Sequence, residues 1–349
     1  MNKRRIFIIV SAVILSVVLA SGSAFFSINA SRELYDYQDR QNRESSLRIA
    51  SGLNSRLQAI EDMAENNGQT LQDMPALSSE TVKSMLEQAL KKAGEKRKGI
   101  YGMAVALQSD MLADHPAPVM FYARFSGNSV IIQTFELSDC RYTGFPWYCV
   151  PRYLGETIWS EPYFDAGVGN VLMTTCSMPF YRMADGRKVF AGVATADVTL
   201  TQLQRFLNSQ QEHRFKYMFM VSKFGRLLSS PDISKAMTET VYSVAFEENA
   251  NELAEQFRRD IGAGRPGMVQ ITRPIFGLRR GNLYYAPLAA NEWSLMMGYD
   301  LKIQEQYARN ITFLTVFVGL GLFGVLMTGV IIVSRRLPDK NNRNRGVKK

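Results

Sequence analysis

Histidine is almost missing from this sequence. His115 and His213 are the two in 349 residues, and no Cys-x-x-Cys spacing accompanies them. A zinc site of the usual Cys/His kind therefore has too few ligands. Neither Gly-x-Ser-x-Gly nor His-Glu-x-x-His occurs. Hydrolysis built on a nucleophile elbow or on a zinc-binding helix is excluded with them. The chain reads as a non-enzyme without a cofactor.

Charge is missing in two places. Residues 6–28, IFIIVSAVILSVVLASGSAFFSI, and residues 311–334, ITFLTVFVGLGLFGVLMTGVIIVS, carry none. A bilayer core needs about 20 apolar residues as helix, so both predict transmembrane helices. A cleaved signal peptide is the alternative for the first, with small residues at Gly22-Ser23-Ala24. Its apolar run exceeds the roughly 7–15 residues of a signal core, which favours an uncleaved anchor. Gly319, Gly321 and Gly324 spell Gly-x-Gly-x-x-Gly inside the second run. No strand precedes them, so they suit close helix packing and not a nucleotide loop.

The large middle segment also lacks net charge. The whole +9 comes from the ends: Lys3, Arg4 and Arg5 on one side, and Arg335, Arg336, Lys340, Arg343, Arg345, Lys348 and Lys349 against Asp339 on the other. Basic flanks face the cytoplasm, which puts both termini inside and residues 29–310 outside. With no positive field on the outer domain, nucleic-acid binding loses its main driving force. The three cysteines, Cys140, Cys149 and Cys176, all fall in the outer segment, where disulfides are permitted. Cys140 and Cys149 bracket a loop with Gly144 and Pro146 and are the favoured pair; a 149–176 bridge is the alternative.

What is present begins with a long polar helix. Leu47, Ala50, Leu53, Leu57, Ile60 and Ala64 form one apolar stripe at steps of three and four. It serves either packing on its own domain or a seam between two copies, and a homodimer is the partner the seam would imply. Pro75 ends this helix, and a second helix is predicted over 78–94. Strands are predicted at 99–108, 119–125, 129–137 and 188–200, followed by a helix over 199–210. A smaller unit follows: strand, turn and strand over 215–232, a helix over about 246–261, and strands at 267–276, 281–289 and 293–300. Such a pattern predicts antiparallel sheets, an α+β class.

One stretch, WSEPYFDAGVGNVLMTTCSMPFY from Trp159 to Tyr181, carries the pattern Trp159, Pro162, Tyr163 and Asp165, then Ser177 and Pro179, then Gly192, Val193 and Asp197. This resembles the double-Cache (PDC-like) extracellular sensor domains. The wording is closest to the sensor halves of membrane-bound serine phosphatases of the sporulation and stress-regulator type. The resemblance implies a long N-terminal helix with two Cache-like (PAS-like) antiparallel modules between two transmembrane helices. A cytoplasmic N-terminus (1–5) and membrane helix (6–28) would lead into a sensor domain (29–310), its distal module at about 78–200 and its proximal module at about 211–300. A membrane helix (311–334) and a basic cytoplasmic tail (335–349) would follow. It further implies a two-pass protein of the bacterial inner (cell) membrane. Amino-acid-binding relatives use Arg-x-Trp-Tyr, Tyr-x-Asp and a final Asp. The positions here are Trp147, Tyr148, Tyr163, Asp165 and Asp197, with Phe145 where the carboxylate-clamping Arg stands. Arg141, Arg152 and Arg124 are nearby substitutes. Two carboxylates among aromatics imply an amine-bearing or cationic small molecule, helped by cation–π attraction of about 0.5–2 kcal/mol. The alternative is that the aromatics are core and that Asp165 caps a turn before Gly167 and Gly169. After Ser334 only 15 residues follow, which predicts a separate cytoplasmic or membrane effector. The competing reading is a non-sensory membrane adaptor or assembly protein with a degenerate pocket.

Overall fold

The apolar stripe of the first helix goes into its own domain. In the computed structural model, Ala50, Leu53, Leu57, Ile60 and Ala64 are buried, and Leu47 alone of the stripe is exposed. The stripe is thereby spent within one chain and does not supply a seam between copies. The structure describes residues 3–336, apart from 96–98, 128, 139, 167, 211–214, 230–234 and 236. His213 and the expected cytoplasmic tail beyond residue 336 lie outside them.

Helix α1 runs Lys3–Asp73 and stops before Pro75; α2 runs Ser79–Glu95. A first antiparallel sheet follows, from β1 (Gly102–Leu107), β2 (Val119–Ser126), β3 (Ser129–Glu136), β4 (Ile158–Trp159), β5 (Tyr163–Phe164), β6 (Leu172–Ala184) and β7 (Arg187–Thr199). The strand order is β3-β2-β1-β7-β6-β4, with β5 also on β6. Between β3 and β4 lies α3 (Pro146–Leu154), and α4 (Leu200–Ser209) follows β7. Proline at the first turn of α3 loses no hydrogen bond, and Gly155 ends it at φ 73°. α4 starts with a capping box in which Thr199 accepts from Gln202 N.

The hairpin that sets this sheet is β6–β7. Ala184 pairs with Arg187 across Asp185-Gly186, both at positive φ (49° and 73°). That is the mirror-image turn a twisted two-residue hairpin requires. One irregularity follows at Phe180/Tyr181.

A second sheet, β8 (Tyr217–Val221), β11 (Trp293–Asp300), β10 (Gly281–Leu288) and β9 (Gly267–Ile271) in that order, is antiparallel throughout. It packs a core of Phe219, Phe257, Leu283, Tyr285 and Met296. Two expectations change here. Among the described residues the return strand after β8 is reduced to isolated bridges, Val221 to Leu227 and Arg226 to Thr240. The helix expected over about 246–261 is two: α5 (Val241–Glu247), capped by Thr240, and α6 (Asn251–Ile261). Asn249 at φ 54° breaks them.

The final helix α7 spans Leu301–Arg336. Both α1 and α7 contain a stretch long and apolar enough to cross a membrane. The chain divides into two compact units, residues 44–300 and the pair 1–43 with 301–349. In the second, Ser27 and Thr312 share a hydrogen bond of 3.1 Å, which satisfies two hydroxyls on facing helices. The fold is thus α+β, two antiparallel sheets behind a long first helix, with a second apolar helix at the end.

Candidate ligand-binding site

Alternation along a strand builds one face of a cavity. Ala104 on β1, Met120 and Tyr122 on β2, Met173 and Thr175 on β6, and Thr195 and Asp197 on β7 occupy alternate positions and share one side of the first sheet. The other side receives α1, where Asn67 donates to Met103 Sδ at 3.4 Å. Opposite the open face stands a wall of Cys140, Phe145–Trp147, Ser160–Ala166 and Val168. The enclosed volume is about 450 Å³, the size of a small-molecule site.

A chain of hydroxyls holds the buried acid. Thr175 Oγ1 donates to Asp197 Oδ1 at 2.8 Å, so the 2.8 Å contact between Tyr163 and Thr175 is donated by Tyr163. Asp197 lies on β7 opposite Thr175 and Gly102 and is 3% exposed. Burial pushes its carboxyl up to about 7; the charge of Asp165 adds to this, while Thr175 and Tyr122 pull the other way. The Tyr122 hydroxyl is buried near this carboxylate but outside hydrogen-bond geometry. It reaches there over Gly102, where a Cβ would stand 2.6 Å from it. Tyr163 is pushed upward by burial and by Asp197.

Asp165 has two duties. It lines the cavity, and its Oδ2 accepts from Gly169 N at 2.6 Å, closing the turn before β6. Burial raises its pKa and the Gly169 bond lowers it. Tyr101 donates to Gly169 O at 3.2 Å and braces the same turn. Capping the turn and lining the cavity are thus compatible for Asp165.

Of the five residues singled out by sequence, Trp147, Tyr163, Asp165 and Asp197 line the cavity. Tyr148 does not. Adjacent residues on a helix point about 100° apart. Trp147 faces the cavity, while Tyr148 enters the core edge-on to Tyr142 and Phe190 and accepts from Gln108. Phe145 lines the cavity, and none of Arg124, Arg141 or Arg152 does. Arg152 lies over the ring of Phe190.

The expected disulfide is corrected. Cys140, Cys149 and Cys176 form no disulfide: Cys140 lines the cavity, Cys149 is on the exposed face of α3, and Cys176 is buried. The loop between the first two became a 3-10 turn (Tyr142–Gly144) and a helix, which turn the two side chains to different surroundings. Non-reducing peptide mapping of the membrane-extracted protein is expected to find no 140–149 linkage; a linked peptide pair would refute this arrangement.

Sequence reasoning missed Tyr122, Thr175, Thr195 and Glu161. The first three need strand register to be placed. Glu161 was legible, since it lies inside the Trp159–Asp165 motif.

The wall is anchored on two sides. Trp159 Nε1 donates to Glu61 Oε2 at 2.9 Å and Thr157 Oγ1 to Glu65 Oε1 at 3.0 Å, both on α1. The Trp159 ring also meets Trp293 of the second sheet, centroids 6.4 Å apart.

Comparison with known proteins bears on the fold. Residues 86–205 match the family described as the first PDC sensor domain of methyl-accepting chemotaxis protein-like chains. The chain is 23% identical over 332 residues to the methyl-accepting chemotaxis protein PctB of Pseudomonas aeruginosa, covering 93% of this chain and 47% of that one. It is 26% identical over 194 residues to the methyl-accepting chemotaxis protein PscA of Pseudomonas syringae pv. tomato, covering 55% and 30%. It therefore spans less than half the length of these relatives. Among solved structures, the extracellular domain of the histidine kinase mmHK1S-Z3 superposes with a TM-score of 0.63 at 21% identity, over 78% of this chain and 97% of that one. The ligand-binding domain of the P. aeruginosa amino acid chemoreceptor PctC, in complex with GABA, gives 0.51 at 17% identity, over 75% and 99%. Residues 86–205 thus resemble a PDC sensor domain in sequence, and the chain shares the double-Cache fold of extracellular sensor domains.

Proposed function

We propose that this chain is a membrane-anchored extracytoplasmic sensor that binds a small amine-bearing molecule in the cavity of the first sheet and signals through its membrane helices to a separate partner. The observation that carries it is the cavity itself: aromatic walls around a buried, hydroxyl-held Asp197, with Phe145 in place of the clamp. An ammonium would meet a carboxylate already desolvated, and among the described lining residues an anion would meet no Lys, Arg or His. The open volume supports a sensor over an adaptor whose pocket has closed. Relatives named as chemoreceptors support the sensor role, and the serine-phosphatase likeness finds no support among them. In this reading the first sheet is the distal module, the second the proximal one, and the chain is a two-pass protein of a bacterial inner membrane.

A thermal-shift screen of the full chain in detergent tests the ligand class. Amines and amino acids are expected to stabilise it, by roughly 2.7 kcal/mol at 100 times the dissociation constant. Hits confined to carboxylates without an amine would sink the proposal. Orientation is tested on intact spheroplasts: external protease is expected to degrade residues 29–310 and to spare a C-terminal tag. Loss of the tag would reverse the topology.

A further inference from the structure

The end of the second sheet from which α7 departs carries a cluster of arginines. β11 ends at Asp300, which Leu301 of α7 follows directly. Gly281 of β10 pairs with Asp300 on one side and with Ile271 of β9 on the other. The connection from β9 to β10, residues 272–280, TRPIFGLRR, therefore lies at that end, and it holds Arg273, Arg279 and Arg280 and no acid. Its middle is a tight turn. Ile275 and Leu278 form an antiparallel bridge across Phe276 and Gly277, both at positive φ (49° and 73°). A left-handed backbone is unusual for phenylalanine and persists only where the surroundings fix it. Here Ile275, Phe276 and Leu278 are buried in the core of the second sheet, with the Phe276 ring 5.7 Å from that of Phe219. The turn is thus pinned, and the three arginines that flank it are exposed. Arg273 Nη1 donates to Glu248 O and Asn249 O, each at 3.3 Å, which brings the end of α5 to the same place and with it the exposed ring of Phe246.

Among the described residues four carboxylates border the cluster. Glu247 is taken by Lys235 at 3.5 Å and Asp300 by Lys216 at 3.8 Å. Glu248 shares a recess with Arg279, and Glu252 one with Arg273. Three arginines against these two leave the end positive. Ten residues of α7 separate Asp300 from Ile311, where the uncharged run begins. As helix they span about 15 Å. The headgroup layer of one leaflet takes up about 5–8 Å of that, and the remainder is about one Debye length at physiological salt. The chain thus tethers the arginines within electrostatic reach of a bilayer that holds α7. We propose that this end of the second unit docks on the anionic phospholipid headgroups of the membrane the chain itself spans, with Arg279 and Arg280 as the principal contacts. The inference rests on the reading of α1 and α7 as membrane helices.

The test uses the full chain in lipid nanodiscs, one set of phosphatidylcholine and one containing phosphatidylglycerol, read by amide hydrogen exchange. Amides of residues 272–281 are expected to exchange about tenfold more slowly over phosphatidylglycerol at low salt. At about 1 M salt, where the Debye length falls to about 3 Å, the two lipids are expected to give equal rates. Arg279→Gln with Arg280→Gln is expected to remove the difference, and unchanged exchange in β10 and β11 shows that the variant is folded. Arg279→Lys with Arg280→Lys keeps the charge and is expected to keep the difference. The Asp185-Gly186 turn of the first sheet serves as the reference and is expected to exchange alike in both lipids. Equal exchange of 272–281 in the two lipids, or a difference that survives the glutamines or the salt, overturns the inference. Slowing in phosphatidylcholine discs on addition of glycerol 3-phosphate assigns the arginines to a free phosphate and overturns it as well. A chain that fails to enter nanodiscs overturns the membrane reading, and the inference with it.

Discussion

Asp197→Asn is expected to abolish amine binding and, in the empty protein, to raise stability at pH 8 by up to about 4 kcal/mol. The sign follows from the folded-state pKa, raised from 3.8 to about 7 chiefly by burial. Below about pH 4 the carboxyl is protonated in the folded and unfolded chain alike, and the preference of the fold for the neutral acid is fully present. Between about 4 and 7 the unfolded chain has released the proton and the folded one keeps it, so stability falls as pH rises. Above about 7 the folded carboxyl also ionises and the loss levels off. Asparagine keeps an oxygen for the Thr175 hydroxyl and never carries the charge, so its stability does not follow this curve. Thermal unfolding of the full chain in detergent at pH 5 and pH 8, for both proteins, gives the difference. Equal loss in the two would show that another group titrates. Amine binding runs the other way: only the carboxylate holds an ammonium, so wild-type affinity is expected to fall about tenfold per pH unit below 7.

The second large effect is expected at the junction of the two sheets. Trp293 is 2% exposed, heads the largest buried side chains of the molecule, and meets Trp159 at an interplanar angle of 60°. Trp293→Ala leaves a cavity that the surrounding β11 backbone cannot collapse, and is expected to cost about 3–5 kcal/mol. Trp293→Phe keeps an aromatic against Trp159 and is expected to recover a large part of the loss. Unfolding midpoints of the two variants measure this. A cost below about 1 kcal/mol for the alanine variant would show that the ring is not a structural contact between the sheets.

The α1 stripe, most strands of both sheets and four of the residues that line the cavity were legible because they rest on local signals. A stripe at helical spacing, β-branched runs between turn residues, and the Trp159–Asp165 and Asp197 pattern can each be read without knowing what lies opposite. What was not legible depends on pairing or on rotation. Tyr122 becomes a neighbour of Asp197 only because β2 and β7 both flank β1. Thr175 becomes its donor only through the β6–β7 register. Tyr148 was misplaced because Trp147-Tyr148 was read as a pair, and α3 sends adjacent side chains to different environments. The 140–149 disulfide failed for the same reason: a helix occupies what looked like a loop. The split between α5 and α6 turns on the left-handed backbone of Asn249, which a helical pattern conceals.

The Asp185-Gly186 turn has an evolutionary consequence. It lies at the far end of the hairpin from the pocket, yet it fixes which residue of β6 stands opposite Asp197. Side chains alternate with period two, so an inserted or deleted residue at this turn would slide β6 against β7 and move Thr175 to the other face. The pocket would be erased by a change many residues away, with every pocket residue still encoded. Descendants of this gene can vary in length in the connection beyond β1 while keeping the pocket. At this turn a length change must arrive together with a compensating bulge, or not survive.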